Sequence, residues 1–285
     1  MPTMESQRVA SFSVEALPVP EYSEVMTRSI LILGGTTDAR LLAGRLGEDS
    51  SYRILLSMAG RTISPVEQPV PMRSGGFGGA AGLADFIRAG NFDILVDATH
   101  PYAARISANA VEASKRAGVP LIRLSRPAWQ LQPGDNWQSV ESIYQAIVAL
   151  GGQGRCVFLA LGRQELLPFE AAPQHNYLIR SVDPVEPPLK LPDARYITAR
   201  GPFATEDEIR MLEENRIEVV ISKNSGGAAS YGKIEAARQL HLPVIMIERP
   251  RQSHDTAATS VTVPDIATAL TAIHHQFSLF EKRGE

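Results

Sequence analysis

The sequence predicts an α/β fold made of two similar β/α domains with mainly parallel sheets that face each other across a central cleft. Three observations carry this prediction. Ile30–Leu33 is apolar at every position, as a strand buried on both faces must be, and a glycine turn and a helical pattern follow it. The script then repeats. Ile30-Leu-Ile-Leu33 matches Cys156-Val-Phe-Leu159, Tyr52–Leu55 matches Tyr177–Arg180, and Gly75-Gly-Phe77 matches Gly201-Pro-Phe203. Ile94-Leu-Val96 matches Val219-Val-Ile221, and Pro120–Pro127 matches Pro243–Pro250, so every shift lies between 123 and 126. Third, strand-like runs such as Ile94–Asp97 end in polar residues at their carboxyl ends, the edge where open α/β sheets bind ligands.

A chain of 285 residues accommodates two domains of ordinary size, and 44% hydrophobic with 21% charged residues is a globular composition. The net charge of −3 argues against a nucleic-acid-binding face, so an anionic ligand has to be met by a local basic cleft. Cys156 is the single cysteine, which excludes a disulfide framework or cysteine-based metal site and predicts a cytoplasmic protein; no metal centre is expected. No apolar run approaches membrane-spanning length. Residues 1–28 lack the apolar core of a signal peptide and read as a flexible extension, with Phe12 and Tyr22 as candidate anchors.

Residues 29–126 read as the first, Rossmann-like domain. Gly34 opens a turn in which Thr36 stands at the second glycine position of the dinucleotide fingerprint and Ala39 at the third. Gly34, Gly35, Thr36, Thr37 and Asp38 therefore form a candidate pyrophosphate site at a helix N-terminus, with a plain βα turn as the alternative. The second strand, Tyr52–Ser57, brings no carboxylate where NAD-binding units place one. It runs instead into Ser57, Gly60, Arg61 and Thr62, where a guanidinium can hold a 2′-phosphate. This favours NADPH as the cofactor. Gly76, Phe77 and Gly78 lie in a glycine-rich loop suited to close backbone approach, and Thr99 and His100 end the next strand.

Residues 127–250 read as the second domain. Its first turn, Ala160-Leu-Gly-Arg163, is unsuited to a dinucleotide, and Thr99-His100 is replaced by Lys223-Asn-Ser-Gly-Gly227. Ser225, Gly226 and Gly227 form a candidate anion nest beside Lys223 and Lys233. In the tail, residues 251–285, Ile266, Ala269, Leu270 and Ile273 share one helical face, and the adjacent His274 and His275 face solvent.

Taken together, these motifs resemble the precorrin-6A reductase family and its cobalt-precorrin counterpart. The residues that carry the resemblance are Leu33–Arg40, Ala59–Thr62, Gly75–Gly79, Asp97–Ala103, Leu161–Glu165, Arg200–Phe203 and Ser222–Gly227, within about Ser29 to Pro250; Ala228-Ala-Ser-Tyr231 departs from the family pattern. The resemblance implies hydride transfer from NADPH to a ring carbon of an acid-rich tetrapyrrole in cobalamin biosynthesis, giving precorrin-6B, with neighbouring pathway enzymes as candidate partners. The carboxylates of such a substrate call for Arg163, Arg180, Arg200, Lys223 and Lys233, with Tyr102 in the matching motif. His100 is the candidate proton donor; hydrogen bonding to the cofactor or helix capping are its alternative roles. Two rivals stand beside this reading. A short-chain dehydrogenase would need a Tyr-x-x-x-Lys dyad, which Tyr102, Tyr144 and Tyr231 do not supply, and a non-catalytic two-lobed binding protein would not need the NADP-type turn.

Overall fold

The computed structural model describes residues 28–60, 67–250 and 260–282; Arg61, Thr62 and residues 1–27 of the N-terminal extension lie outside them, and its last residue, Arg28, opens the first strand. The first half runs β1 (Arg28–Leu33), α1 (Thr37–Gly47), β2 (Tyr52–Met58), β3 (Met72–Ser74), α2 (Ala80–Ala89), β4 (Ile94–Asp97), α3 (Ala104–Ala117) and β5 (Leu121–Leu124). Then follow β6 (Trp137–Val140), α4 (Ile143–Leu150), β7 (Cys156–Ala160), β8 (Asn176–Ser181), β9 (Ala194–Thr198), α5 (Thr205–Glu214), β10 (Val219–Lys223), α6 (Gly232–Gln239) and β11 (Val244–Ile247). The chain continues as β12 (Ser260–Val263) and α7 (Ile266–Glu281).

The local signals explain these elements. Ile30–Leu33 are buried, which is the fate of a central parallel strand. Thr36 caps α1 by accepting a hydrogen bond at Oγ1 from the Ala39 amide at 3.0 Å. Gly118, at φ +74°, closes α3 in the left-handed conformation, where a side chain would be strained. Asp265 caps α7, accepting from the Thr268 amide at 2.8 Å.

Two separate six-stranded sheets result, in the orders β12-β5-β4-β1-β2-β3 and β6-β11-β10-β7-β8-β9, with every pair parallel. Helices cover both faces of each. The core under α1 and α7 includes Leu42, Leu46, Ile273 and Phe277, and that under α2 and α3 includes Leu83, Ile87 and Ala110. In the second sheet, Leu150, Phe169 and Tyr177 fill one face, while Phe158, Leu212 and Ile234 fill the other. The sequence repeat falls on equivalent strands: β7 to β11 occupy the positions that β1 to β5 hold in the first sheet.

Two features depart from a simple tandem of domains. After β5 the chain crosses over and pairs as β6 with β11, in the register Trp137↔Val244. After β11 it returns, and β12 pairs with β5 in the register Ser260↔Leu121. β6 lies within residues 127–250 and pairs inside that half, so the strand that breaks the tandem order is β12, which returns to the first sheet. Of the tail, β12 and α7 belong structurally to the first sheet, where α7 buries Ala269, Ile273 and Phe277. The second departure is local: after β7 come only two 3-10 turns, Arg163–Glu165 and Leu167–Ala171, where α1 stands in the first half. A Pro168 among the first residues of the second turn and the lack of a long helix leave no extended dipole at this strand end.

Candidate functional site

The carboxyl ends of the two sheets meet. On the first sheet, the Gly34 amide donates to Ser57 O at 2.9 Å and the Thr36 hydroxyl donates to Ala98 O at 2.8 Å, tying together the ends of β1, β2 and β4. A Cβ on Gly34 would stand 3.2 Å from Ala39 Cβ and press into the Leu56 side chain, so only glycine lets α1 approach this closely. Gly35, at φ +115°, faces open space. Thr37 and Asp38 follow in the first turn of α1. This cradle has the form a pyrophosphate needs: small residues, a capped helix start and room above them.

Beside Ser57, at the end of β2, stands an arginine to which the sequence analysis assigns no role. Arg73, on β3, donates from Nη1 to Ser57 Oγ at 2.9 Å and to Gly75 O at 3.0 Å, and from Nη2 to Gly76 O at 3.2 Å. Its guanidinium lies 4.1 Å from the Phe77 ring centroid, and Phe77 packs edge-on against Phe86. Phe77 is therefore a support for Arg73 and the glycine loop. Gly60 adjoins this loop, with Ser74 Oγ 2.8 Å from where its Cβ would be, and Gly78 takes φ +78°. The signal for Arg73 was an arginine one strand beyond Ser57, legible only once β2 and β3 are known to pair.

Thr99 is turned inward: its hydroxyl donates to Asp97 Oδ1 at 2.6 Å. His100 accepts from the Tyr102 amide at Nδ1, 3.3 Å away, and this bond leaves the proton on Nε2. Burial, reinforced by Lys223, Arg126, Arg249 and Lys233, pushes His100 down to about 3. The sequence analysis offers it as a proton donor, with hydrogen bonding or helix capping as alternatives; with its pKa lowered it is a neutral imidazole at neutral pH that offers one N–H. A stability prediction follows with a definite sign. Between about 6.5 and 3 the unfolded chain takes up a proton that folded His100 does not, so acidification across this range removes stability. His100→Gln should flatten the fall in unfolding free energy between about pH 6.5 and 4, measured by urea denaturation, and an unchanged slope would refute the assignment.

Tyr102 crosses to the second sheet. Its hydroxyl donates to Ile247 O and accepts from the Asn224 amide at 2.8 Å, and Lys223 Nζ stands 4.4 Å from its ring centroid. Lys223 also pairs with Glu165. Next to it the Ser225 amide donates to Lys223 O at 2.8 Å, and Gly226 and Gly227 take φ of +67° and +75°. The nest thus lies beside the strand ends that Tyr102 contacts.

The remaining cations divide. Arg163 Nη1 donates to Pro184 O at 3.3 Å, and Arg200 lies 3.9 Å from Asp183, so both gather around the segment after β8. Lys233 and Arg180 depart from the expected exposure. Lys233 is 4% exposed, donates to Ser230 O at 2.6 Å and lies 4.9 Å from the Trp129 ring centroid. Burial, with nearby Arg180, pushes it down to about 7. Arg180 forms a buried two-pronged ion pair with Glu208 and stacks 3.7 Å from the Phe203 centroid. Both residues support the loops from within. Among the described residues no cluster of His, Cys, Asp or Glu could hold a metal ion, and no helix is long and apolar enough to cross a membrane.

Two parallel sheets covered by helices on both faces, one with a glycine turn at a capped helix start, are an α/β layout of the Rossmann type. The profile of the family described as precorrin-6x reductase CbiJ/CobK matches residues 29–274. The chain is 56% identical to a precorrin-6A reductase of Sinorhizobium sp over 246 residues, 86% of this chain and 92% of the relative. It is 49% identical to that of Rhodobacter capsulatus, over 82% of this chain and 93% of the relative. A solved structure titled CobK precorrin-6A reductase superposes with a TM-score of 0.82 at 43% identity, covering 87% of this chain and 97% of that one. The chain belongs to the precorrin-6x reductase family of cobalamin biosynthesis and is a nicotinamide-dependent reductase.

Proposed function

We propose that this chain uses NADPH to reduce precorrin-6A, or its cobalt form, to precorrin-6B in the cytoplasm. The observation that carries the reading is the facing of the Gly34–Asp38 cradle and the Lys223–Gly227 nest, joined by Arg126, which hydrogen-bonds Asp38 and Ser225 O, with Tyr102 beside the nest. NADPH supplies the hydride when bound. The residues of the chain place the two ligands. The cradle and the α1 N-terminus receive the pyrophosphate, and Arg73, with Arg61, receives the 2′-phosphate. Lys223, Tyr102 and the nest orient substrate carboxylates, and Arg163 and Arg200 flank them. His100, neutral, donates a hydrogen bond from Nε2.

Two measurements test this. Arg73→Ala and Arg61→Ala should each weaken NADPH by about 1–3 kcal/mol, the range for losing a charged hydrogen-bond partner, while NADH binding changes little. Equal losses for both cofactors, or none, would refute the ribose-phosphate assignment. Lys223→Ala should raise the KM for the tetrapyrrole roughly tenfold or more, and the wild-type KM should rise with salt, with NADPH affinity nearly unchanged. A variant that loses NADPH affinity and keeps its substrate KM would reverse the roles of the two sheets.

A further inference from the structure

Arg126 stands where the chain leaves the first sheet for the second, two residues beyond β5. It touches both ligand cradles. Its Nη1 donates to Asp38 Oδ2 at 2.7 Å, in the first turn of α1, and its Nε donates to Ser225 O at 3.0 Å, at the start of the nest. The stem fills the space beside Gly227, where an added Cβ would come within 2.8 Å of Arg126 Cδ. The side chains of Arg126 and Asp38 are only 19% and 28% exposed, so the pair is shielded from much of the solvent. The return crossover braces it: Arg249 donates from Nη1 to Arg126 O at 2.8 Å and from Nε to Asn224 O at 2.8 Å.

We propose that Arg126 is a positioning residue that couples the two sites, so that cofactor and tetrapyrrole each bind more tightly when the other is present. The physical basis is a shared guanidinium. A carboxylate at the start of α1 opposes the arrival of a pyrophosphate unless its charge is compensated, and Arg126 compensates it. An anion held at the cradle fixes α1 and Asp38, and through them Arg126. Fixing Arg126 fixes the carbonyl of Ser225 and hence the direction of the next two glycines. By linkage the effect runs equally in the other direction.

The inference rests on the proposed roles of the two cradles, and the experiment separates the two. The Kd for NADP+ is measured by calorimetry alone and with saturating tetrapyrrole product, for wild type, Arg126→Lys, Arg126→Met and Asp38→Asn. Wild type should show at least about fivefold tighter NADP+ binding with the tetrapyrrole present, the lower range of ordinary coupling. In Arg126→Met and Asp38→Asn this ratio should fall to near one, whatever happens to the absolute Kd. Arg126→Lys, which keeps charge but not the fork, should retain only part of it. A purely structural role would lower both affinities and leave the ratio intact. Failure of wild type to bind NADP+ or the tetrapyrrole would refute the proposed function itself. Binding of both with a ratio near one in wild type, or an unchanged ratio in Arg126→Met and Asp38→Asn, would overturn the coupling.

Discussion

Glu208→Ala is expected to destabilise the protein by about 3–5 kcal/mol, the range for removing one member of a buried ion pair. Glu208 is 2% exposed and Arg180 is 9% exposed, and they are joined by two hydrogen bonds. Without the carboxylate, the Arg180 guanidinium stays enclosed between the Phe158 and Phe203 rings with no compensating charge. Lys233 would suffer as well, because Glu208 is the carboxylate that favours its protonated form. Urea denaturation measures the loss. Replacing both partners, as Arg180→Met with Glu208→Leu, should recover much of the stability, since an apolar pair of similar volume carries no desolvation cost. If Glu208→Ala is neutral, the pair does not hold the second sheet in this way.

Gly226→Ala is expected to lower kcat/KM for the tetrapyrrole by roughly a hundredfold, as misplacing a positioning group by about 1 Å does. Two costs coincide at this position. The backbone takes φ +67°, where an L side chain is strained, and an added Cβ would overlap the Pro127 carbonyl and the Arg249 guanidinium. The carbonyl belongs to backbone in the crossover, so the nest itself must shift. Gly152→Ala is the control: Gly152 has no positive φ and nothing within 4 Å of its added Cβ, and activity should be unchanged. NADPH affinity measured without tetrapyrrole should change far less than kcat/KM, because the nest meets the cofactor cradle only through the Arg126 bridge. Steady-state kinetics with direct cofactor binding checks both statements. Loss of NADPH affinity with an intact substrate KM would assign the nest to the cofactor.

These two predictions mark where sequence reading reached and where it stopped. Gly226 and Gly227 were legible because a Ser-Gly-Gly run after an apolar strand has few conformational explanations, and both glycines take positive φ. Arg180 was misjudged for an equally physical reason. A strand-end arginine looks the same whether it faces a cleft or a buried carboxylate. Glu208, its partner, lies 28 residues away on α5, and nothing local announces it. Arg73 was overlooked because its place beside Ser57 depends on the pairing of β2 with β3.

By itself the sequence determined the parallel α/β class, the internal repeat, the cofactor-type turn and the family, because apolar periodicity, glycine placement and motif order are local properties of the chain. Tertiary structure alone decided the return of β12 and α7 to the first sheet. It also decided the burial of Arg180 and Lys233, the neutral state of His100, and the bridge that Arg126 makes between Asp38 and Ser225. The physical reason is common to all four. Each depends on which distant segments share a strand edge or exclude water from a charge, and that energy belongs to pairs of residues far apart in sequence.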